Sequence, residues 1–145
     1  MRVKDLMRSA VVTLHATSTL NVADDIMTMA RIRHLPVVDD AGNLVGIVSQ
    51  RDLFRAAISS VLSVKEGTQR EWLGKVPVHA IMTREVVSVG PEETITRAME
   101  RLLEGKFGCL PVVEGRRLVG LLTESDCLRC FRDMLKAGKF RNMLS

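Results

Sequence analysis

The feature that most constrains the fold of this chain is an internal duplication. Residues 3–38 match residues 78–113 at an offset of 75, and residues 44–55 match residues 118–129 at an offset of 74. The offset changes by one residue within the polar turn at residues 39–43, where a change of length is tolerated best. The chain is therefore predicted to contain two copies of one supersecondary unit.

Each copy has the pattern β-α-β-β-α. The β-branched runs predict strands at residues 11–14, 35–38 and 44–49, and at residues 86–89, 110–113 and 118–123. The helices that follow are expected to begin after hydroxyl N-caps, namely Thr19, Ser49, Thr94 and Thr123. One copy leaves a sheet face uncovered, so we expect an α/β (α+β) fold of two pseudo-twofold-related repeats packed sheet to sheet, with a ligand cleft between them.

The predicted organisation has four parts. Repeat one spans residues 1–62, a linker follows at 63–77, repeat two spans 78–136, and a C-terminal tail covers 137–145. The segment at residues 65–68 is expected to end the last helix of repeat one, because it contains Gly67.

Composition excludes several classes of protein. With 46% apolar and 26% charged residues among 145, the chain is globular, and its short apolar runs predict no membrane segment. The charged N-terminus lacks a secretory signal, which predicts a cytoplasmic protein. The net charge of +4 suits an anionic ligand, but four Phe, one Trp and no Tyr offer little for stacking on nucleic-acid bases.

Two short motifs occur once in each copy. One reads Gly-h-x-[Ser/Thr]-x-x-Asp and spans Gly46–Asp52 and Gly120–Asp126, and the other reads h-Pro-Val-Val-[Asp/Glu] and spans 35–39 and 110–114. In this order and at this spacing they resemble the cystathionine-β-synthase (CBS) domain. The chain is similar to a stand-alone tandem CBS pair over residues 3–55 and 78–129.

The resemblance implies a regulatory module that binds an adenosine-containing ligand: AMP, ADP, ATP or S-adenosylmethionine, with no other cofactor required. It implies that Asp52 and Asp126 accept hydrogen bonds from ribose hydroxyls, with Ser49 and Thr123 beside the ribose and phosphate. The physical chemistry agrees, because a carboxylate only accepts hydrogen bonds and a diol can donate two. The N-terminus of a helix also attracts an anion.

The resemblance extends to the rest of both sites. It implies that basic residues before the proline of the second strand contact phosphate, and repeat one has Arg33 and His34 before Pro36, whereas repeat two has Gly108 and Cys109 before Pro111. It implies that adenine contacts Met82, Thr83, Val86 and Val87 in the Asp52 site, and Ala10, Val11 and Val12 in the Asp126 site. Arg33 and His34 offer charge-assisted donors that Gly108 and Cys109 lack, and Arg51 adds positive charge. The Asp52 site is therefore expected to be the stronger one for phosphate.

Other interpretations remain open from the sequence. Serine and threonine are common helix N-caps, so Ser49 and Thr123 are also explained without a ligand. The chain is then a structural or interaction module with empty sites. Nucleic-acid binding through Lys136, Lys139 and Arg141 is a weaker alternative, because no groove-reading motif is present. Catalysis is not expected, because no nucleophile elbow, P-loop or zinc-protease motif occurs. Cys127 and Cys130 lie within a predicted helix. Their predicted role is packing in the core rather than metal binding.

The last helix of each repeat has more apolar residues than one buried stripe needs. These are Leu53, Phe54, Ala57, Ile58, Val61 and Leu62 in repeat one, and Cys127, Leu128, Phe131, Met134 and Leu135 in repeat two. The surplus, together with the resemblance, predicts a twofold homodimer. The protein that the module regulates is unknown from the sequence.

Overall fold

The computed structural model describes residues 1–63 and 69–139, without the side chains of residues 60–63 and 69. The predicted helix end at residues 65–68 and the tail beyond residue 139 lie outside the described residues. The helices are α1 (Val3–Leu6), α2 (Leu20–Ala30), α3 (Gln50–Ser63), α4 (Gln69–Leu73), α5 (Ile95–Gly105) and α6 (Glu124–Lys136), with a 3₁₀ turn at Val78–Ala80. The strands are β1 (Leu14–His15), β2 (His34–Val38), β3 (Leu44–Ser49), β4 (Cys109–Glu114) and β5 (Arg117–Thr123). The predicted mixed α/β fold class is confirmed.

The chain divides into two compact units. The Asp52 unit comprises Val12–Val86 and Arg116–Leu118, and the Asp126 unit comprises Met1–Val11, Val87–Gly115 and the described part of Val119–Ser145. The units do not follow the two sequence copies, because the opening segment of each copy belongs to the unit that holds most of the other copy.

Two equivalent valines explain this exchange. Val3 opens the first copy, is fully buried, and lies in the hydrophobic core of the Asp126 unit. Val78 opens the second copy, is also fully buried, and lies in the core of the Asp52 unit. Burial of an apolar side chain stabilises each of these placements by about 1.5–3 kcal/mol.

The Asp52 unit is built on a three-stranded sheet. Strand β1 pairs in parallel with β2, and β2 pairs antiparallel with β3, in a register that sets His34 opposite Ser49. The alternating burial of β3 reflects the period of two of a strand with one face in the core. The register places the end of β3 and the start of α3 beside the first residue of β2.

The Asp126 unit contains the two-stranded sheet β4–β5, apart from the first two residues of β5. Leu110 and Val112 from β4 and Leu122 from β5 are fully buried, and they pack with Ala98 and Leu102 of α5. These five side chains form the centre of the core to which the start of α6 is anchored.

The strands predicted at residues 11–14 and 86–89 are largely wrong. Only Leu14–His15 forms a strand in the first segment, and in the second Val89 makes a single parallel bridge to Val112. Val12 is 47% exposed and Val87 is 43% exposed, so these β-branched residues lack the burial that strand propensity reflects.

The helix caps follow the prediction in part. The Thr94 hydroxyl accepts from the Arg97 backbone N–H at 3.4 Å, as a cap does. Thr19 occupies the N-cap position of α2, but its hydroxyl instead donates to the Asn21 side chain. Among the described helices, none is both long enough and apolar enough to cross a membrane.

Candidate functional site

In the Asp52 motif, Ser49 and Asp52 form hydrogen bonds with each other at the start of α3. The Ser49 backbone N–H donates to Oδ2 of Asp52 at 2.8 Å, and the Asp52 backbone N–H donates to the Ser49 hydroxyl at 3.1 Å. This reciprocal pair is a capping box, which sequence spacing of three residues makes possible. The carboxylate is half-buried. No ion pair to it is present among residues 1–63 and 69–139.

The residues predicted to meet phosphate lie at the start of β2. The Gln50 backbone N–H donates to the Arg33 carbonyl at 2.8 Å, which joins the start of β2 to the first turn of α3. Arg33 and Arg51 are exposed, and His34 is half-buried. The Pro36 ring is fully buried, so it shapes the strand rather than a surface. The structure therefore brings Arg33, His34 and Ser49 to one edge of the Asp52 unit.

Met82 and Thr83 lie against strand β3 of the same unit. The backbone of Thr83 exchanges two hydrogen bonds with Ile47, at 2.9 and 3.0 Å. A Cβ on Gly46 would lie 2.5 Å from Sδ of Met82 and 3.0 Å from the Thr83 carbonyl oxygen, so this close approach requires glycine. Two of the four predicted adenine contacts thus lie beside the strand that ends at Ser49.

The Asp126 motif repeats this local geometry at the start of α6. The Thr123 backbone N–H donates to Oδ2 of Asp126 at 2.9 Å, and the Asp126 N–H donates to the Thr123 hydroxyl at 3.1 Å. The Thr123 hydroxyl also donates to Oδ2, at 2.8 Å. Ser49 and Thr123 are therefore both helix caps. This is the role that the structural-module interpretation of the sequence gave them.

Asp126 differs from Asp52 in its surroundings. Only 6% of its side chain is exposed, and its second oxygen, Oδ1, accepts from Nε of Arg8 at 3.0 Å and from Nη2 of Arg129 at 2.7 Å. Burial alone would raise the pKa of the Asp126 carboxyl. The hydrogen bonds from Thr123, Arg129 and Arg8 outweigh that effect, so the pKa lies below the usual value of 3.8.

Arg8 was not among the site residues predicted from the sequence. Its backbone exchanges two hydrogen bonds with Leu121, each of 3.0 Å, which is the same bridge that Thr83 makes with Ile47. In the alignment of the two copies, Arg8 and Thr83 are equivalent. That difference of charge at an equivalent position was the signal available in the sequence.

The remaining predicted site residues either are buried or divide between the two units. Cys109 is buried, and burial raises the pKa of its thiol to about 12, so it is protonated at neutral pH. Pro111, like Pro36, is fully buried. Val86 belongs to the Asp52 unit and Val87 to the Asp126 unit. The other contacts divide likewise: Ala10 and Val11 belong to the Asp126 unit and Val12 to the Asp52 unit.

Cys127 follows the packing interpretation, whereas Cys130 is only half-buried. Cys127 is buried in the core of the Asp126 unit, where burial raises the pKa of its thiol. Cys130 is half-buried and contributes to the wall of a cavity of about 480 Å³, which is also lined by Asp5, Leu6, Asp126, Arg129 and Asp133 among others. In the described part of the chain, no group of three or more metal-ligating side chains could hold a metal ion.

The chain matches the family model of the CBS domain twice, over residues 3–59 and 78–133. It is 35% identical over 127 residues to a CBS domain-containing protein of Dictyostelium discoideum, a match that covers 87% of this chain and 88% of the relative. It is also 29% identical to L-aspartate semialdehyde sulfurtransferase of Methanocaldococcus jannaschii, but there the match covers only 23% of the enzyme. The chain thus corresponds to about a quarter of that enzyme's length.

Solved structures agree in fold. A Vibrio cholerae protein provisionally assigned to acetoin utilization (AcuB) has a TM-score of 0.81 and 36% identity, with 96% of both chains covered. The CBS domain pair of protein MJ0100, in complex with 5′-methylthioadenosine and S-adenosyl-L-methionine, has a TM-score of 0.78 and 28% identity, covering 92% of this chain and 97% of that one. CBSX2 in complex with AMP has a TM-score of 0.77 and 29% identity, with the same coverage.

Proposed function

The chain belongs to the CBS domain family, and from this premise we propose that it is a regulatory module that binds an adenosine-containing ligand at Asp52. The candidate ligands are AMP, ADP, ATP and S-adenosylmethionine. With AMP or ATP as ligand, the module would report the energy state of the cell. It acts on a partner protein, and it catalyses no reaction itself.

The observation that carries the proposal is the state of the Asp52 carboxylate. It is half-buried, it accepts one hydrogen bond from the Ser49 backbone, and no arginine of the described residues pairs with it. A carboxylate has about four lone-pair positions, so Asp52 retains acceptors for a ribose diol. Such a donor pair is what adenosine offers in every candidate ligand.

The surroundings of Asp52 supply the groups that a phosphate needs. Three features meet here: the N-terminal turn of α3, the exposed guanidinium groups of Arg33 and Arg51, and the half-buried His34. A helix N-terminus and charge-assisted donors both favour an anion. Two related CBS pairs crystallise with AMP or with S-adenosylmethionine and methylthioadenosine, which supports this class of ligand.

A thermal-shift panel tests the proposal. We expect at least one of AMP, ADP, ATP and S-adenosylmethionine to raise the Tm, because a ligand that binds only the native state stabilises it by about 2.7 kcal/mol at 100 times its Kd. Asp52→Ala is expected to lose about 1–3 kcal/mol of binding, or roughly 5–150-fold in Kd, because the diol loses its acceptor. Glu114→Ala, which removes an exposed carboxylate at the end of β4, serves as the control and is expected to bind as the unmodified chain does.

Two results would contradict the proposal. One is that no ligand of the panel shifts the Tm at about 1 mM, which would leave the interaction-module interpretation as the better one. The other is that Asp52→Ala binds as tightly as Glu114→Ala, which would place binding elsewhere.

We also propose a homodimer built on α3 and α6. Phe54 and Ile58 on α3 and Leu128 on α6 are exposed in the single chain, whereas Leu53 and Cys127, from the same predicted surplus, are buried in the cores. The side chains of Val61 and Leu62 lie outside the described residues. The last helix of each repeat carries such an exposed apolar face. A second molecule of the same chain is therefore the partner that matches these faces best.

Light scattering is expected to give about twice the chain mass of 16.1 kDa at micromolar concentration. Phe54→Glu is expected to shift the mass toward one chain, because a charge would be buried at the interface. Met29→Glu, at a residue that is more exposed and lies on α2, controls for the added charge. A mass of one chain for the unmodified protein would exclude the dimer.

A further inference from the structure

The Asp126 carboxylate has all of its acceptor positions filled from within its own unit. Oδ2 accepts from the backbone and the hydroxyl of Thr123, and Oδ1 accepts from Arg8 and Arg129. Four donors match the roughly four lone-pair positions of a carboxylate. With 6% of the side chain exposed, a diol would have to displace one of these donors to reach Asp126.

Arg8 is the charged donor whose counterpart in the other copy carries no charge. Thr123 has its counterpart in Ser49, and Arg129 has its counterpart in Arg55, so both repeats carry a cap hydroxyl and this arginine. The counterpart of Arg8 is Thr83, which has no charge. Thr83 is bridged to Ile47 as Arg8 is bridged to Leu121, so the two side chains leave equivalent backbone positions.

We propose that Arg8 takes the place of a ligand's diol at Asp126 and keeps that site closed, so that the residue at positions 8 and 83 decides which aspartate binds an adenosine ligand. The inference deepens the proposed function and rests on it for the class of ligand. The Arg8 side chain is 53% exposed, and its Nε donates to Asp126. Arg8 is thus a specificity-determining residue that acts by occupying an acceptor.

An anchoring role alone does not account for the contact. The segment that carries Arg8 is already held by its two backbone hydrogen bonds to Leu121 and by the fully buried Val3. Thr83 holds the corresponding segment of the other unit with the same backbone bridge and without a charged side chain. Removal of the guanidinium is therefore expected to leave the fold intact.

A reciprocal exchange tests the inference, with AMP as the probe and calorimetric stoichiometry as the readout. We expect one AMP per chain for the unmodified protein and two for Arg8→Thr, because Asp126 gains a free acceptor. Thr83→Arg is expected to bind none, because its guanidinium would reach Asp52 as Arg8 reaches Asp126. The double variant is expected to bind one, now at Asp126. Arg132→Thr, which removes an exposed arginine paired with Asp133, controls for the change of net charge.

The outcomes separate the inference from the proposed function. Two AMP per unmodified chain, or one for Arg8→Thr, would overturn the inference and leave the proposed function standing. No binding by the unmodified chain with one AMP on Arg8→Thr would support the inference and overturn binding at Asp52. No binding by any variant, with AMP or with ADP, ATP or S-adenosylmethionine in its place, would overturn both. Circular dichroism verifies the fold, and if Arg8→Thr unfolds, Arg8→Met keeps the aliphatic stem without donors and decides the question in its place.

Discussion

Replacing Leu110 by alanine is expected to lower the free energy of unfolding by about 2–5 kcal/mol. Leu110 is fully buried at the centre of the Asp126 unit, where it packs with Val3, Val112 and Leu122. The loss combines the transfer of the missing methyl groups with the cavity that they leave in a close-packed interior. A loss of this size is a large share of the stability of a small domain.

Urea unfolding followed by circular dichroism measures this loss. Leu103→Ala in the same unit is the matched control, because Leu103 is 77% exposed and its truncation is expected to cost less than about 0.5 kcal/mol. Leu35→Ala makes the equivalent change in the core of the Asp52 unit. A loss under about 1 kcal/mol for Leu110→Ala would contradict the central position of this side chain.

The pair of core variants also measures how far the two units unfold together. Two separate core clusters allow one unit to lose its packing before the other. If that happens, Leu110→Ala produces a second transition in the urea curve, and a two-state analysis no longer applies. A single transition in both variants would mean that the two units unfold cooperatively.

The secondary structure was predictable where one local pattern decides it. The strands β2 to β5 and the helices α2, α3, α5 and α6 have either a run of β-branched residues or a helical period long enough to be recognised. Helix α1 has four residues and the 3₁₀ turn at Val78–Ala80 has three, which is too short for a periodic signal. Their position depends on the burial of one valine each, and burial is a tertiary property.

In the candidate site, too, only the contacts between residues close together in the sequence were predictable. The capping boxes at Ser49 and Thr123 were predictable, because they depend on residues three apart in the sequence. The contact of Arg8 with Asp126 joins residues 118 positions apart, and no local pattern indicates it. In the sequence, Glu124 and Asp126 place two carboxylates in the first turn of α6, whereas the structure adds two guanidinium groups at Asp126.

Those two guanidinium groups give Asp126 a measurable effect on stability. Asp126→Asn is expected to cost about 1.5–3 kcal/mol of unfolding free energy at neutral pH, because hydrogen bonds from charged groups to an ionised acceptor are lost. Asp52→Asn, whose carboxylate has no arginine partner among the described residues, is the matched control and is expected to cost less. Equal costs would show that the arginine contacts contribute nothing beyond the shared capping box.

The cost of Asp126→Asn is expected to depend on pH in one direction. The folded-state pKa of Asp126 lies below the ordinary value of 3.8, since the hydrogen bonds from Thr123, Arg129 and Arg8 outweigh the opposing effect of burial. A carboxyl with a lowered folded-state pKa stabilises the fold fully above its unfolded pKa, and that contribution is lost as the pH falls through the folded pKa. The difference in unfolding free energy between the unmodified chain and Asp126→Asn should therefore be constant near neutral pH and shrink below about pH 4. Urea unfolding at a series of pH values measures it, and a difference that stays the same down to about pH 2.5 would mean that the ionised form of Asp126 is not what the two arginines stabilise.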